Sequence, residues 1–93
     1  MLNINECDKI ATVIKAMAHP TRLFLMQVIS EREHCVCELA DMVGVDVSTI
    51  SRHLSTLKNA GIVEGRKHNN QVFYQLIRPC LLEIYTCVLN ISK

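Results

Sequence analysis

The sequence predicts one mainly α-helical domain over residues 1–93, in the element order α-α-α-α-β-β-α. Three observations carry that prediction. Apolar residues recur at helical spacing along most of the chain. Only three glycines and two prolines interrupt it, so breaks are few and the helices long. One late segment, residues 62–76, instead alternates apolar and polar positions around an amide-rich turn.

The first helix spans 5–18, with Ile10, Ile14 and Met17 at helical spacing. His19-Pro20 breaks the chain, and Pro20 suits the first position of a second helix because its missing N–H has no partner there anyway. That helix carries Leu23, Phe24, Met26 and Val28 and fades near Glu31. It is apolar on more than one face, which predicts a central position. A third, short helix starts near Cys35. Val36, Leu39, Ala40 and Val43 form its apolar stripe, and Gly44 is placed to end it as a C-cap glycine. Asp46 is a good N-cap for the fourth helix. Val47, Ile50, Leu54 and Leu57 share one face of that helix, and Gly61 closes it. "IVEGRK" and "QVFYQL" then read as two strands joined by "HNN". Pro79 opens a last helix with Leu81, Ile84, Val88 and Ile91 as its stripe.

Helix, short turn with a glycine, helix is the helix-turn-helix arrangement, and a hairpin after it makes the winged form. Net charge is only +1, but its distribution is uneven. Residues 1–46 carry seven acids and four Lys/Arg, whereas residues 47–78 carry five Lys/Arg and one acid. A phosphate backbone responds to that local basic surface. At 100° per residue, Ser48, Thr49, Arg52, Ser55, Thr56 and Asn59 lie opposite the apolar face of the fourth helix, with Ser51 and His53 on its flanks. That polar face holds one cation and no acid. Arg can fork onto a guanine, and Ser and Thr can bond phosphates or base edges. Ser and Thr lower helix propensity, which suggests a use. The hairpin tip, Arg66, Lys67, His68, Asn69 and Asn70, is basic and amide-rich and is predicted to reach the DNA backbone or minor groove.

The block "ELADMVGVDVSTISRHLSTLKNAGIVEGRKHNNQVFYQL", with "AMAHPTRLFLMQVI" before it, resembles the ArsR/SmtB family of metal-sensing winged-helix repressors over nearly the whole chain. The resemblance implies a homodimer on double-stranded operator DNA, with the first and last helices as its interface. It also implies release of the operator when an inducer binds. The broad apolar surface of the last helix points to a dimer independently, because so small a domain has limited core of its own. Two reading helices related by a two-fold would engage half-sites about 34–36 Å apart.

Five cysteines form an odd set in a chain without a visible signal peptide or an apolar stretch long enough to span a membrane. Cytoplasmic residence is the expectation, where thiols are kept reduced and cysteines serve metal or redox chemistry, or packing. In an ideal helix Cys35 and Cys37 would point about 200° apart. Cys35, however, occupies the N-cap of the third helix, with Glu38 three residues on in the frame of a capping box. An N-cap residue is not helical, so Cys35 is free to swing towards Cys37 in the first turn. A helix N-terminus favours an anion, and the thiolate is the form that binds soft metals. "CVC" at a helix start is similar to the arsenic- and cadmium-responsive members of the family, which implies As(III)/Sb(III) as inducer, with Cd(II) or Pb(II) as a second class. DNA binding itself needs no cofactor on this reading.

Arsenite-responsive members of the best-known type have a third cysteine where this sequence has Ala40. The third ligand is therefore open among Cys7, Cys80, Cys87, His34 and a small thiol or water. Cys80 and Cys87 are expected two turns apart on the last helix, and His34 on the surface. A second reading of the same thiols is a redox or persulfide sensor with a disulfide between the third and last helices. A third is a protein-interaction module that has lost DNA binding, against which the Arg52 and Ser/Thr face speaks. No glycine-rich loop or nucleophile elbow positions the Cys, His or Asp residues for catalysis, so an enzyme is not expected.

Overall fold

A computed structural model describes residues 1–92. The helices are α1 (Ile4–Met17), α2 (Pro20–Glu31), α3 (Val36–Val43), α4 (Val47–Asn59) and α5 (Glu83–Ser92). The strands are β1 (His34–Cys35), β2 (Val63–His68) and β3 (Gln71–Leu76). The expected order stands, with two additions. A two-residue strand precedes α3, and Pro79–Leu82 form a 3-10 turn ahead of α5.

Local chemistry explains most boundaries. The Asn3 side chain accepts the Glu6 N–H at 2.9 Å and Glu6 returns the bond to the Asn3 N–H at 3.0 Å, a full capping box for α1. Pro20 takes the first position of α2, where the His19 ring caps the Thr21 N–H at 3.0 Å. Gly44 ends α3 at φ 86°, a left-handed conformation that glycine adopts without a Cβ clash. Asn69 and Asn70, both at positive φ, make the two-residue hairpin turn. His68 thus belongs to β2 rather than to the turn.

The fully buried side chains are Leu25 and Met26 of α2, Leu39 of α3, Ile50, Leu54 and Leu57 of α4, and Ile62 and Val63 leading into β2. Each such residue stabilises the fold by about 1.5–3 kcal/mol through lost apolar exposure. They seat α4 against α2 and α3. Val47, expected on that buried face, is 47% exposed because it starts α4 before the helix meets the core. On α1 only Ala16 and Met17 are buried, and Ile10 and Ile14 face out. The last helix is exposed along Ile84, Val88, Leu89 and Ile91. It is held inward by Tyr85, whose hydroxyl donates to the Leu23 carbonyl at 2.8 Å.

The sheet order is β1-β3-β2, all antiparallel. Cys35 pairs with Phe73, and Phe73 pairs with Arg66 on its other side. The strand of two residues is thus the link between the start of α3 and the basic hairpin.

Candidate nucleic-acid interface and thiol pair

The helix-turn-helix is α3, Gly44 to Asp46, and α4. With Ile50, Leu54 and Leu57 buried, the opposite face of α4 turns Ser48, Arg52 and Ser55 to solvent. Thr49, and Ser51 and His53 on the flanks, are half-buried, so of the expected contact set they are less available. Arg66, Lys67, His68, Asn69 and Asn70 are all exposed along the hairpin and its tip. The Arg66–Glu64 ion pair is long, at 3.8 Å between exposed groups, and leaves the guanidinium accessible.

The N-cap alters what two of these residues can offer. Both the Ser48 and Thr49 hydroxyls donate to the Asp46 carboxylate. Those bonds hold the Asp46 carboxyl below the usual carboxylate range, so it is an ionised pure acceptor. Each hydroxyl spends its only hydrogen there and presents lone pairs outward. Ser48 and Thr49 are therefore set to accept from amino groups such as adenine N6 or cytosine N4, not to donate to phosphate oxygens.

A second arrangement lies on the α2 side of α4. Arg22 of α2 donates from Nη1 to Nδ1 of His53 at 3.2 Å. The His53 ring lies 4.5 Å from that of His19, tilted by 45°. Burial, then the neighbouring His19, Arg22 and Arg52, keep the His53 imidazole below its ordinary value and hence neutral and able to accept. Arg22, Thr49, Arg52, His53 and Thr56 line one open cavity of about 420 Å³. Neither His19 nor Arg22 is in the contact set that the sequence predicts. The available signal is a cation in the first turn of α2, where the helix dipole disfavours it.

Cys35 caps α3 in extended conformation, at φ −84° and ψ 162°, and its N–H donates to Glu38 Oε1 at 3.2 Å. Arg32 Nη2 donates to the other Glu38 oxygen at 3.0 Å. The Arg32 bond first, then the Cys35 N–H, pull the Glu38 carboxyl down to about 2. The expected swing of Cys35 is not available: the residue is 7% exposed and fixed by its pairing with Phe73. Cys37, two residues further in the first turn of α3, is exposed. Both thiol residues nevertheless line one crevice of about 200 Å³, together with Val36, Asn70, Gln71 and Val72. The crevice thus lies between the start of α3 and the hairpin turn.

The remaining expected ligands are scattered. Cys7, Cys80 and Cys87 are exposed and unbridged on α1, the 3-10 turn and α5. Because Cys80 lies in the 3-10 turn, it does not share a helical face with Cys87 as expected. His34, expected on the surface, is 4% exposed in the strand that pairs beside β3, and its Nδ1 is 2.9 Å from the Arg32 carbonyl oxygen. Among the described residues no three His, Cys, Asp or Glu side chains come together to hold an ion within one chain.

Comparison with known proteins agrees with this geometry. The model of the arsR family of bacterial regulatory proteins matches residues 19–65. An uncharacterised helix-turn-helix transcriptional regulator of Methanocaldococcus jannaschii is 38% identical over 86 residues, 91% of this chain and 97% of that protein. A homolog of the cadmium resistance regulatory protein CadC from Staphylococcus aureus is 41% identical over 68 residues, 72% of this chain but 56% of that protein. Among solved structures, the homodimeric winged helix-turn-helix DNA-binding domain of a possible ArsR-family regulator from Mycobacterium bovis superposes with a TM-score of 0.80 at 26% identity. It covers 96% of this chain and 82% of its own. The antimony-specific transcriptional repressor AntR superposes with a TM-score of 0.82 at 25% identity, covering 99% of this chain and 86% of its own.

Proposed function

The chain belongs to the arsR family of bacterial regulatory proteins, and from that premise we propose that it is a repressor released from operator DNA when a soft metal(loid) binds Cys35 and Cys37. Members of the family are transcriptional regulators rather than enzymes, and the winged helix-turn-helix is their DNA-binding element. The inducers proposed are As(III) and Sb(III), with Cd(II) or Pb(II) as a second class. The supporting observation is the shared crevice of Cys35 and Cys37, which joins two soft donors at the cap of the helix beneath the reading helix. The similarity to an antimony-specific repressor and to a cadmium regulator homolog supports the same chemistry.

The working form is a homodimer. Its support is the unpaired apolar surface of α1 and α5, where Ile10, Ile14, Ile84, Val88 and Ile91 are exposed. Protein that reads DNA works where the DNA is, and in that compartment thiols stay reduced. Two routes carry ligand binding to the DNA face. Leu39 and Ala40 of α3 pack in the core beside α4, so rotation of α3 moves the reading helix. The pairing of Cys35 with Phe73, and of Phe73 with Arg66, passes any displacement of Cys35 across the sheet to the basic hairpin. A coupling of about 1–3 kcal/mol is enough for effective release.

X-ray absorption of the arsenite-loaded protein tests the site. The expected result is sulfur ligation that is lost in Cys35→Ser and in Cys37→Ser. Undiminished sulfur ligation in both variants would place the ion elsewhere. The same measurement on Cys7→Ser, Cys80→Ser and Cys87→Ser identifies the third ligand.

A further inference from the structure

We propose that Arg22, held by His53 and flanked by Arg52, Thr49 and Thr56, is a seat for one phosphodiester of the DNA backbone, at the α2 edge of the reading face. The inference rests on the reading of α4 as the DNA-contacting helix and adds a contact from α2.

Arg22 stands in the first turn of α2, three residues from the N-cap, where the helix dipole opposes a cation. A long side chain with no other task would turn to water there. Arg22 instead folds onto α4 and donates to His53, 31 residues away in sequence. Its Nε is buried and has no hydrogen-bond partner. An unsatisfied buried N–H on a guanidinium costs free energy and invites an acceptor. Among the described residues neither Arg22 nor Arg52 enters a salt bridge, and no carboxylate lines the cavity they share. The Asp46 carboxylate, which the Arg52 charge helps to hold ionised, is already engaged by the Ser48 and Thr49 hydroxyls.

The cavity is open, and Thr49, Arg52 and Thr56 line it from successive turns of α4. Arg matches phosphate geometry through its planar fork, and the Arg52 guanidinium beside it adds positive charge. The Thr49 and Thr56 hydroxyls donate to Asp46 and to the Arg52 carbonyl, so they border the seat without donating to it. His53 acts as a positioning residue. As a neutral acceptor it fixes the Arg22 guanidinium, and the tilted His19 ring, 4.5 Å away, packs against the His53 ring. The seat carries no base information. Its effect is on register and on the electrostatic part of the affinity.

The test is the salt dependence of binding to a fluorescent duplex of arbitrary sequence, about three helical turns long. Each phosphate contact contributes about 0.9 to the slope of log affinity against log salt. Loss of one seat per protomer should make the slope shallower by about 2 for a homodimer. Arg22→Gln is expected to show that change and Arg22→Lys to restore most of it. An Arg22→Gln protein with wild-type circular dichroism and wild-type slope would overturn the seat, since a purely structural role alters stability but not counterion release. Should Arg22→Gln not fold, the Nε–H resonance of Arg22 in the wild-type protein is followed during DNA titration. A large shift and slowed exchange are expected, and an unmoved resonance overturns the proposal. A wild-type protein with no salt-dependent affinity for any duplex would instead remove the reading on which the seat rests.

Discussion

Replacing Tyr85 by Phe removes one atom and isolates the attachment of the last helix. In the structure α5 is exposed on most of its surface; Tyr85 packs it against the core, next to Leu81 and Leu82 of the preceding 3-10 turn. The Tyr85 hydroxyl donates to the Leu23 carbonyl at 2.8 Å. A hydrogen bond of this kind contributes a net ~1 kcal/mol. The Phe ring retains the packing, and the Leu23 carbonyl lies within α2, so no large penalty is added. A loss of about 1 kcal/mol lowers the melting temperature by roughly 4–8 °C for a domain of this size. The phenol supplies an independent signature. Burial raises it to about 12, against about 10 in an unfolded chain. In that window the folded state keeps a proton that the unfolded state releases. The contribution is complete below about pH 10 and is lost as pH rises towards 12. Urea unfolding by far-UV circular dichroism, at one fixed protein concentration, is run at neutral pH and at about pH 11. Tyr85→Phe should be less stable at neutral pH and should lose less stability than wild type on going to high pH. Equal midpoints for the two proteins at both pH values would refute the reasoning.

Three further outcomes follow from particular contacts. A Cβ on Gly65 would meet Val72 Cγ1 at 2.8 Å and Tyr74 Cε1 at 3.2 Å, so Gly65→Ala should displace the hairpin and weaken DNA binding by anisotropy while the α-helical circular dichroism persists. Glu38 sits at about 2 in the folded state, so its contribution is present above the unfolded value near 4.5 and lost as pH falls towards 2; Glu38→Gln should flatten the acid limb of the stability–pH curve, and an unchanged limb would exclude the Arg32 and Cys35 bonds as its source. Arg52→Ala should weaken operator binding by about 1–3 kcal/mol at fixed salt, and an unchanged titration would exclude Arg52 as a base reader.

The elements legible in the sequence were those set by local chemistry. Pro20, Gly44 and Asp46 mark helix ends through their own backbone preferences, and Cys35 with Glu38 marks the start of α3 by spacing alone. The apolar faces of α3 and α4 were legible for the same reason, except at Val47, where helical periodicity does not say how far the core extends. What a neighbour far along the chain decides was not legible. His34-Cys35 is too short to read as a strand and becomes one because β3 pairs with it. That pairing buries His34 and removes the mobility expected of Cys35. The approach of Arg22 to His53 likewise depends on how α2 crosses α4. Within the contact face, side-chain type suggested that Ser48 and Thr49 were general hydrogen-bonders. Only their bonds to Asp46 reveal that they are set as acceptors.

The central claim is that a soft ion on Cys35 and Cys37 releases DNA. It is tested by titrating arsenite into the preformed complex of protein and fluorescent operator duplex, under reducing conditions. Fluorescence anisotropy should fall to the value of free DNA for the wild type, and stay high for Cys35→Ser and Cys37→Ser, which still bind the duplex. Release of the two serine variants at the same arsenite concentration as the wild type would contradict the account.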